Sequence, residues 1–362
     1  MTTPADQAHT GPSVPSSGAD YADHLAAALH GNADEFNALT EPHRSELRVH
    51  CYRVLGSLTE AEDMVQETFL HAWNRLATFQ GRSSFRAWLY KIATNACLDA
   101  LDKRRTHRLL PVNAVPASNP HAPIAPPSAE ISWLEPFPDE WLVDQSAANP
   151  ETHYSAYESV SLAFLAALQT LPPRQRAVLI LSDVLDWSAQ EMAELLGASL
   201  SAVASALHRA RATMAATYHG RAPEDRRALP TDKHTREMLD RYVRAWQTAD
   251  VNGLVNLLRE DAVMSMPPSP SWYRGHAAIR SFTRATIFGD EGMFKGKAAG
   301  RWRLVPAHAN GQPAFAVYER VEGGGWQPSG IQVLTFEAGK LSQVTCFLDP
   351  SLTARFVPSP QR

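Results

Sequence analysis

Cysteine is scarce in this chain. Three cysteines, Cys51, Cys97 and Cys346, are spread over 362 residues. Odd in number and far apart, they read as reduced, packed thiols in a cytosolic protein, not as a disulfide framework or a zinc site. No apolar run approaches the roughly 20 residues that a membrane span needs. The N-terminus lacks the charged start and apolar centre of a signal peptide, so a cytoplasmic protein without membrane attachment is expected. No residue spacing asks for a cofactor or a metal, and none is expected. A large net charge is missing too: the formal value is −4, which excludes a polycation. The balance is uneven, however. Residues 82–108 hold seven Lys and Arg against Asp99 and Asp102, a net of +5. Residues 109–158 hold no Lys or Arg and seven acids. A basic element is therefore followed by an acidic one.

What is present centres on residues 79–105. Phe79, Phe85, Trp88 and Tyr90 lie among Arg82, Arg86, Lys91, Lys103, Arg104 and Arg105. Phe85, Leu89, Ile92 and Ala96 make one helical stripe, and Lys91, Asn95 and Asp99 lie opposite. A short polar loop, Gln80, Gly81, Arg82, Ser83 and Ser84, precedes the helix. Cations hold phosphates and aromatic rings stack on unpaired bases, so the set suits single-stranded DNA. An amphipathic helix with core aromatics and a solvated charged face is the competing reading.

Residues 20–56 are helical in pattern, interrupted or restarted near Pro42. Residues 59–76 predict another helix, begun by a capping box of Thr59 and Glu62, with Val65, Phe69, Ala72 and Leu76 buried. Glu60, Glu62, Asp63 and Glu67 crowd its early turns. They either complement the helix dipole or form a docking face for a partner. Farther on, Ser188 and Glu191 make a capping box, Gly197 ends that helix, and Ser199 caps a helix over 200–217. Helix, short glycine turn, helix is the helix-turn-helix pattern. Its second helix would offer Ser201, Ala202, Ser205, His208, Arg209 and Arg211 to DNA, with Leu200, Val203 and Leu207 as core.

Residues 61–73, AEDMVQETFLHAW, with FRAWL at 85–89, IATN at 92–95, Asp99, Arg104 and Arg105, resemble region 2 of the extracytoplasmic-function group of the bacterial sigma-70 family. LPPRQRAVLIL from 171, WSAQEMAELLG from 187 and VASALHRAR from 203 resemble its region 4, in the family's order. The resemblance implies two all-α domains, the second a helix-turn-helix, at 20–108 and 151–218. It implies core RNA polymerase as partner, through the β′ clamp helices and the β flap, and promoter DNA. On region 2, Glu62, Asp63, Gln66, Glu67, Leu70 and Trp73 would face polymerase. Gln80, Arg82, Ser83, Ser84, Arg86, Trp88, Lys91, Asn95, Arg104 and Arg105 would face the −10 element. Ser199, Ser201, Ala202, Ser205, His208, Arg209 and Arg211 would face the −35 element. A protein of this kind is not an enzyme, and no catalytic residue is assigned.

Residues 1–19 are rich in Thr, Pro, Ser, Gly and Ala and are expected to be disordered. Residues 109–150 hold nine prolines and no sustained period. They predict a largely extended acidic linker that leaves its neighbours free to separate. In related sigma factors this linker threads the polymerase channels; docking of residues 133–142 on the chain's own domains is the alternative. Residues 218–231 mark a second boundary. After it, helices at 238–259 precede a short strand at 262–266, a helix at 277–288 and four strand-like segments, with turns at Asn310-Gly311, Gly323 to Gly325 and Gly339. Helices followed by a run of antiparallel strands predict an α+β fold. Residues 232–362 resemble the SnoaL-like, cone-shaped α+β domain, which implies a cavity. Asp261, His276 and Asp349 would line it with Met266, Trp272, Tyr318 and Phe347. A small-molecule ligand, and contact of this domain with regions 2 and 4 around Gly323 to Gly325 and Leu348 to Pro350, are both expected possibilities. The whole reads as a sigma factor modulated by its C-terminal domain. The alternative is a DNA-binding regulator whose last third senses or modifies a small molecule.

Overall fold

The computed structural model describes residues 18–81, 83–104, 107–128, 130–145, 157–218, 233–290 and 292–357. Most of the expected N-terminal tail, the segment 219–231, Arg82 and Arg105 lie outside them. The N-terminal bundle consists of helices Gly18–Leu29, Ala33–Thr40, Arg44–Leu55, Leu58–Arg75 and Phe85–Arg104. Pro42 lies in the tight turn Glu41–His43, where a missing N–H does no harm. Gly56 ends the Arg44–Leu55 helix at φ 70°, and a Cβ there would meet Leu134 Cδ2 at 2.6 Å. Both the left-handed backbone and the close approach require glycine.

The next helix does not start at a box of Thr59 and Glu62. Ser57 is its cap, accepting from the Glu60 N–H at 3.1 Å. The Thr59 N–H goes instead to the linker carboxylate of Glu135, 3.1 Å away. A distant acid thus does the capping that the local pattern assigned to Glu62, and leaves Glu62 available elsewhere.

The second helical module runs through Leu162–Gln169, Pro173–Leu179, Ala189–Leu196 and Leu200–Thr217. Ser188 and Glu191 form a reciprocal capping box, and Gly197 turns the chain at φ 59°. The last helix packs on Pro173–Leu179 through Val203, Ala210 and Met214. Leu200, expected in that core, is 50% exposed. It sits at the first helical position, ahead of the buried stripe.

Two buried arginines tie the modules together. Arg176 donates to the Val54 carbonyl at 2.6 Å and to Gln169 Oε1 at 2.7 Å. Arg53 donates to Ser159 Oγ at 2.6 Å. Burial pulls Arg176 down to about 9 and Arg53 to about 10, because neither guanidinium has a carboxylate beside it to offset lost hydration.

The linker is not a free tether. β1 (Arg108–Leu109) pairs in parallel with β2 (Ser132–Trp133). The Tyr52 hydroxyl donates to the Glu135 carbonyl at 2.7 Å, and Arg48 lies 3.8 Å over the Trp141 ring. Phe137 is fully buried. The apolar side chains between the acids dock on the bundle, which is the alternative that composition had left open.

The C-terminal domain has helices Lys233–Thr248, Val251–Asn256 and Gly275–Phe282 against one six-stranded sheet. Its strands are β3 (Leu258–Ser265), β4 (Trp272–Arg274), β5 (Trp302–Ala309), β6 (Gln312–Arg320), β7 (Trp326–Glu337) and β8 (Lys340–Phe347). Their order is β4-β3-β8-β7-β6-β5. β3 and β8 run parallel, so the sheet is mixed where a purely antiparallel run was expected. Seven consecutive residues of β6 from Gln312 are buried, the mark of a strand covered on both faces. Phe315 and Val317 face the domain's own helices, while Ala314, Ala316 and Tyr318 join the core of the helical modules.

Candidate polymerase and nucleic-acid interfaces

On the Leu58–Arg75 helix, Ala61, Val65, Thr68 and Ala72 point inward. The opposite side presents Asp63, Gln66, Glu67 and Leu70, at i, i+3, i+4 and i+7, which makes one continuous stripe. Leu70 is 59% exposed, an apolar side chain among acids that no described residue covers. Glu67 pairs loosely with His71 at 3.8 Å. Trp73 turns back to meet Phe36 edge-on at 5.1 Å. Glu62, half-buried, is ion-paired with Arg355 from the chain's last described turn.

Beside this helix, Phe79, Phe85 and Trp88 form an aromatic trio with centroids 5.3–5.6 Å apart. Phe85 is buried and Trp88 half-buried. Gln80, Ser83, Lys91 and Asn95 are exposed on the same stretch. The Ser84 hydroxyl is occupied, accepting from the Ala87 N–H at 3.1 Å. Arg86 pairs with Glu46 at 2.7 Å and lies 4.8 Å over the Tyr90 ring. Burial would raise Glu46, but hydrogen bonds from His43 and Arg86 outweigh it and hold the carboxyl below its ordinary range. Arg104 is turned to Glu60 at 3.0 Å. The helix therefore presents a smaller free cationic surface than its composition implies.

Ser199, Ser201, Ala202, Ser205, His208, Arg209 and Arg211 are all exposed on the Leu200–Thr217 helix. Ser199 caps it, accepting from the Ala202 N–H at 3.2 Å. Arg211 is held by Asp183, with Nε 3.0 Å from Oδ2. This module lies against the first: Lys91 Nζ is 3.3 Å from the Glu194 carbonyl oxygen, and Tyr90 and Trp187 approach to 5.6 Å.

The C-terminal domain reaches both modules through one turn. Asn310, fully buried at φ 56°, donates to the Tyr52 hydroxyl at 2.8 Å and to the Val160 carbonyl at 2.7 Å. Its side-chain oxygen accepts from the Phe137 N–H at 2.9 Å. The Gly311 N–H donates to Asp139 Oδ1 at 2.9 Å, and a Cβ on Gly311 would press on Tyr157 at 2.9 Å. Sequence reasoning saw Asn310 and Gly311 only as a hairpin turn. An asparagine in a left-handed turn carries that signal and no other.

Of the residues named for a cavity, Met266 and Phe347 line one. The others do not. Trp272 donates its indole N–H to the Val115 carbonyl at 2.8 Å, and His276 Nε2 sits 3.1 Å from the Leu258 carbonyl. Tyr318 packs toward the helical modules. Asp349 caps the turn Pro350–Thr353, and Asp261 pairs with Arg259 on the surface. Each polar group is taken up by backbone or a near neighbour, so they do not converge. Among the described residues no helix is long and apolar enough to cross a membrane.

Three family models match the chain: sigma-70 region 2 over residues 39–107, sigma-70 region 4 over 161–214, and the SnoaL-like domain over 239–344. The ECF RNA polymerase sigma factor SigG of Mycobacterium tuberculosis is 42% identical over 322 residues, covering 89% of this chain and 83% of that one. SigW of Bacillus subtilis is 26% identical over 181 residues, 50% of this chain and 87% of its own. The crystal structure of the M. tuberculosis extracytoplasmic function sigma factor SigJ superposes with a TM-score of 0.53 at 23% identity, over 89% of this chain and 99% of that one, which shows a shared fold. With two sigma regions in order and a relative this similar over most of both chains, the protein belongs to the extracytoplasmic-function RNA polymerase sigma factors and is not an enzyme.

Proposed function

We propose that the described arrangement is a closed form of the sigma factor, held shut by its SnoaL-like domain, and that transcription starts only after it opens. In this reading residues 20–108 engage the β′ clamp helices and the −10 element, 151–218 engage the β flap and the −35 element, and 109–150 and 232–362 act as linker and regulator. The contact residues are those named above; among the described residues Asp63, Gln66 and Leu70 are exposed on the polymerase face and Arg209 is exposed on the recognition helix.

The observation that carries the reading is the Asn310 turn, which binds region 2, the linker and the start of region 4 at once. Distance supports it. Elements named −10 and −35 lie about 25 base pairs apart, or about 85 Å at 3.4 Å per pair. The two DNA modules touch, with Lys91 and Glu194 3.3 Å apart. Modules in that contact do not span such a site. The Arg355 ion pair also covers Glu62 on the polymerase helix.

Run-off transcription with core polymerase and a promoter pool tests this. Arg355→Glu should raise the yield several-fold over the parent chain by uncovering Glu62. Equal yields from the two proteins would end the closed-form reading.

A further inference from the structure

Residues 292–318 hold Lys295, Lys297, Arg301 and Arg303 and no Asp or Glu, in a chain whose net charge is −4. The fold gathers these four at one end of the SnoaL-like domain and adds a fifth cation. The Arg320 N–H donates to the Arg301 carbonyl at 2.8 Å, and Arg301 Nη1 donates back to the Arg320 carbonyl at 3.1 Å. Arg301 also lies 5.3 Å over the Phe294 ring, which holds the loop of Lys295 and Lys297 beside the start of β5. Lys295, Lys297, Arg303 and Arg320 are exposed. Among the described residues none of the five forms an ion pair. Against their sequence neighbours Asp290, Glu291 and Glu322, five cations leave this end positive.

Strand register sets their direction. Trp302 and Leu304 belong to the inner core, so Arg303 between them points to the outer face. There it stands opposite Tyr318, and Arg320, two residues farther along β6, stands opposite Trp326. Glu319 turns inward to the cavity, as does Gln327. Trp326 is 37% exposed. The turn from Gly323 to Gly325 is exposed too, and a Cβ on Gly323 or Gly324 would meet nothing within 4 Å. These glycines therefore do not make the contact with regions 2 and 4 expected of them. The Asn310 turn makes it, at the other end of the β5-β6 hairpin, about 30 Å away at about 3.3 Å per residue. The cationic end of the sheet stays open while the other end is docked.

We propose that this surface is a third nucleic-acid site, which holds phosphates of duplex DNA just upstream of the −35 element. Guanidinium and ammonium groups without carboxylate partners suit phosphate oxygens, and a glycine turn bare of side chains lets a DNA backbone come close. Trp326 adds apolar area for a sugar edge. The tether selects which DNA is in reach. The chain between Tyr218 and Lys233 extends at most about 50 Å. The domain thus stays within about 15 base pairs, at 3.4 Å each, of the duplex held by the recognition helix. Such contacts add affinity and salt dependence without reading sequence. The placement rests on the reading that 151–218 engages the −35 element; the phosphate site does not.

The test compares the full chain with a triple variant, Lys297→Gln, Arg303→Gln and Arg320→Gln, all at exposed positions. Fluorescence anisotropy with a 20-base-pair duplex of arbitrary sequence is read from about 50 to 200 mM salt. The variant should bind at least tenfold more weakly, and its plot of log affinity against log salt should be shallower by about 2 to 3. The control removes three exposed cations elsewhere on the domain, Lys233→Gln, Arg241→Gln and Lys340→Gln, and should change the slope by less than about 1. Equal slopes for parent and triple variant, or an equal drop in the control, overturn the site. So does a triple variant that loses core polymerase in the absence of DNA while its slope stays put, since the surface would then dock a protein. Placement is read with holoenzyme on promoters whose duplex ends at the −35 element or runs 15 base pairs farther. The extension should strengthen the parent at least fivefold more than the triple variant, since polymerase's own contacts are common to both. An equal gain overturns the placement and leaves the site. If Arg209→Ala binds both promoters as the parent does, the −35 reading falls, and the salt slopes still decide the phosphate site.

Discussion

The two faces of the C-terminal sheet are covered in different ways. The inner face is closed by the domain's own helices with Tyr242, Trp246, Phe282, Phe315 and Val317, an apolar core whose burial is favourable in any arrangement of the rest. The outer face joins the core of the helical modules through Ala309, Ala314, Ala316, Tyr318, Ile331 and Val333, and through the polar Asn310. The neighbouring junction of regions 2 and 4 buries Arg53 and Arg176, and among the described residues neither has a carboxylate beside it and Arg53 Nε and Nη1 find no partner. Buried cations regain hydration when such a junction separates. The contrast teaches that one core forms within a single domain and the other only where three modules meet.

The sharpest way to break that contrast is Asn310→Ala. It strands the Val160 carbonyl and the Phe137 N–H and removes a side chain that tolerates a left-handed turn, a loss of about 3 kcal/mol at the junction. Hydrogen exchange should rise in residues 44–55 and 157–162 and stay unchanged within β3 to β8. Faster exchange in the sheet as well would mean that the two faces form one cooperative unit.

Acid should separate them next. His50 is buried in region 2, where burial and then the Arg53 charge pull its imidazole from 6.5 down to about 3. A histidine depressed in the folded state contributes stability that is whole above pH 6.5 and is lost as pH falls toward 3, since the unfolded chain binds the proton first. At pH 5 the loss is about 2 kcal/mol. Among the described residues it is the only buried histidine. Thermal unfolding between pH 7 and 5 should therefore lower the transition of the helical modules more than that of the SnoaL-like domain. His50→Asn should flatten the difference; an unchanged slope would remove His50 as the cause.

The smallest effect concerns the recognition helix. Leu200 is half exposed, so Leu200→Ala should change stability by less than about 0.5 kcal/mol. A loss of 2 kcal/mol or more in chemical denaturation would place it in a core after all.

Local features were legible. The helix-turn-helix caps at Ser188, Glu191, Gly197 and Ser199 depend on residues three or four apart, so the pattern and the structure coincide. The acid-rich face of the Leu58–Arg75 helix was readable from its period. Its cap, Ser57, three residues before Glu60, is equally local; the partner of the Thr59 N–H was not legible, because Glu135 reaches it from the linker. The parallel pairing of β3 with β8 escaped for the same reason, since parallel strands need not be sequence neighbours. The cavity lining was read by residue type. His276 and Asp349 have suitable chemistry and the wrong surroundings, each taken up by backbone close to it.

By itself, the sequence determined the family, the order of the modules and the local caps and faces of their helices, because periodicity, capping and charge act within a few residues. Only the tertiary structure decided which of those side chains are covered. Asn310 meets Tyr52 across 258 residues and Arg355 meets Glu62 across 293. Such pairings depend on where two finished domains come to rest, and a short stretch of sequence does not carry that information.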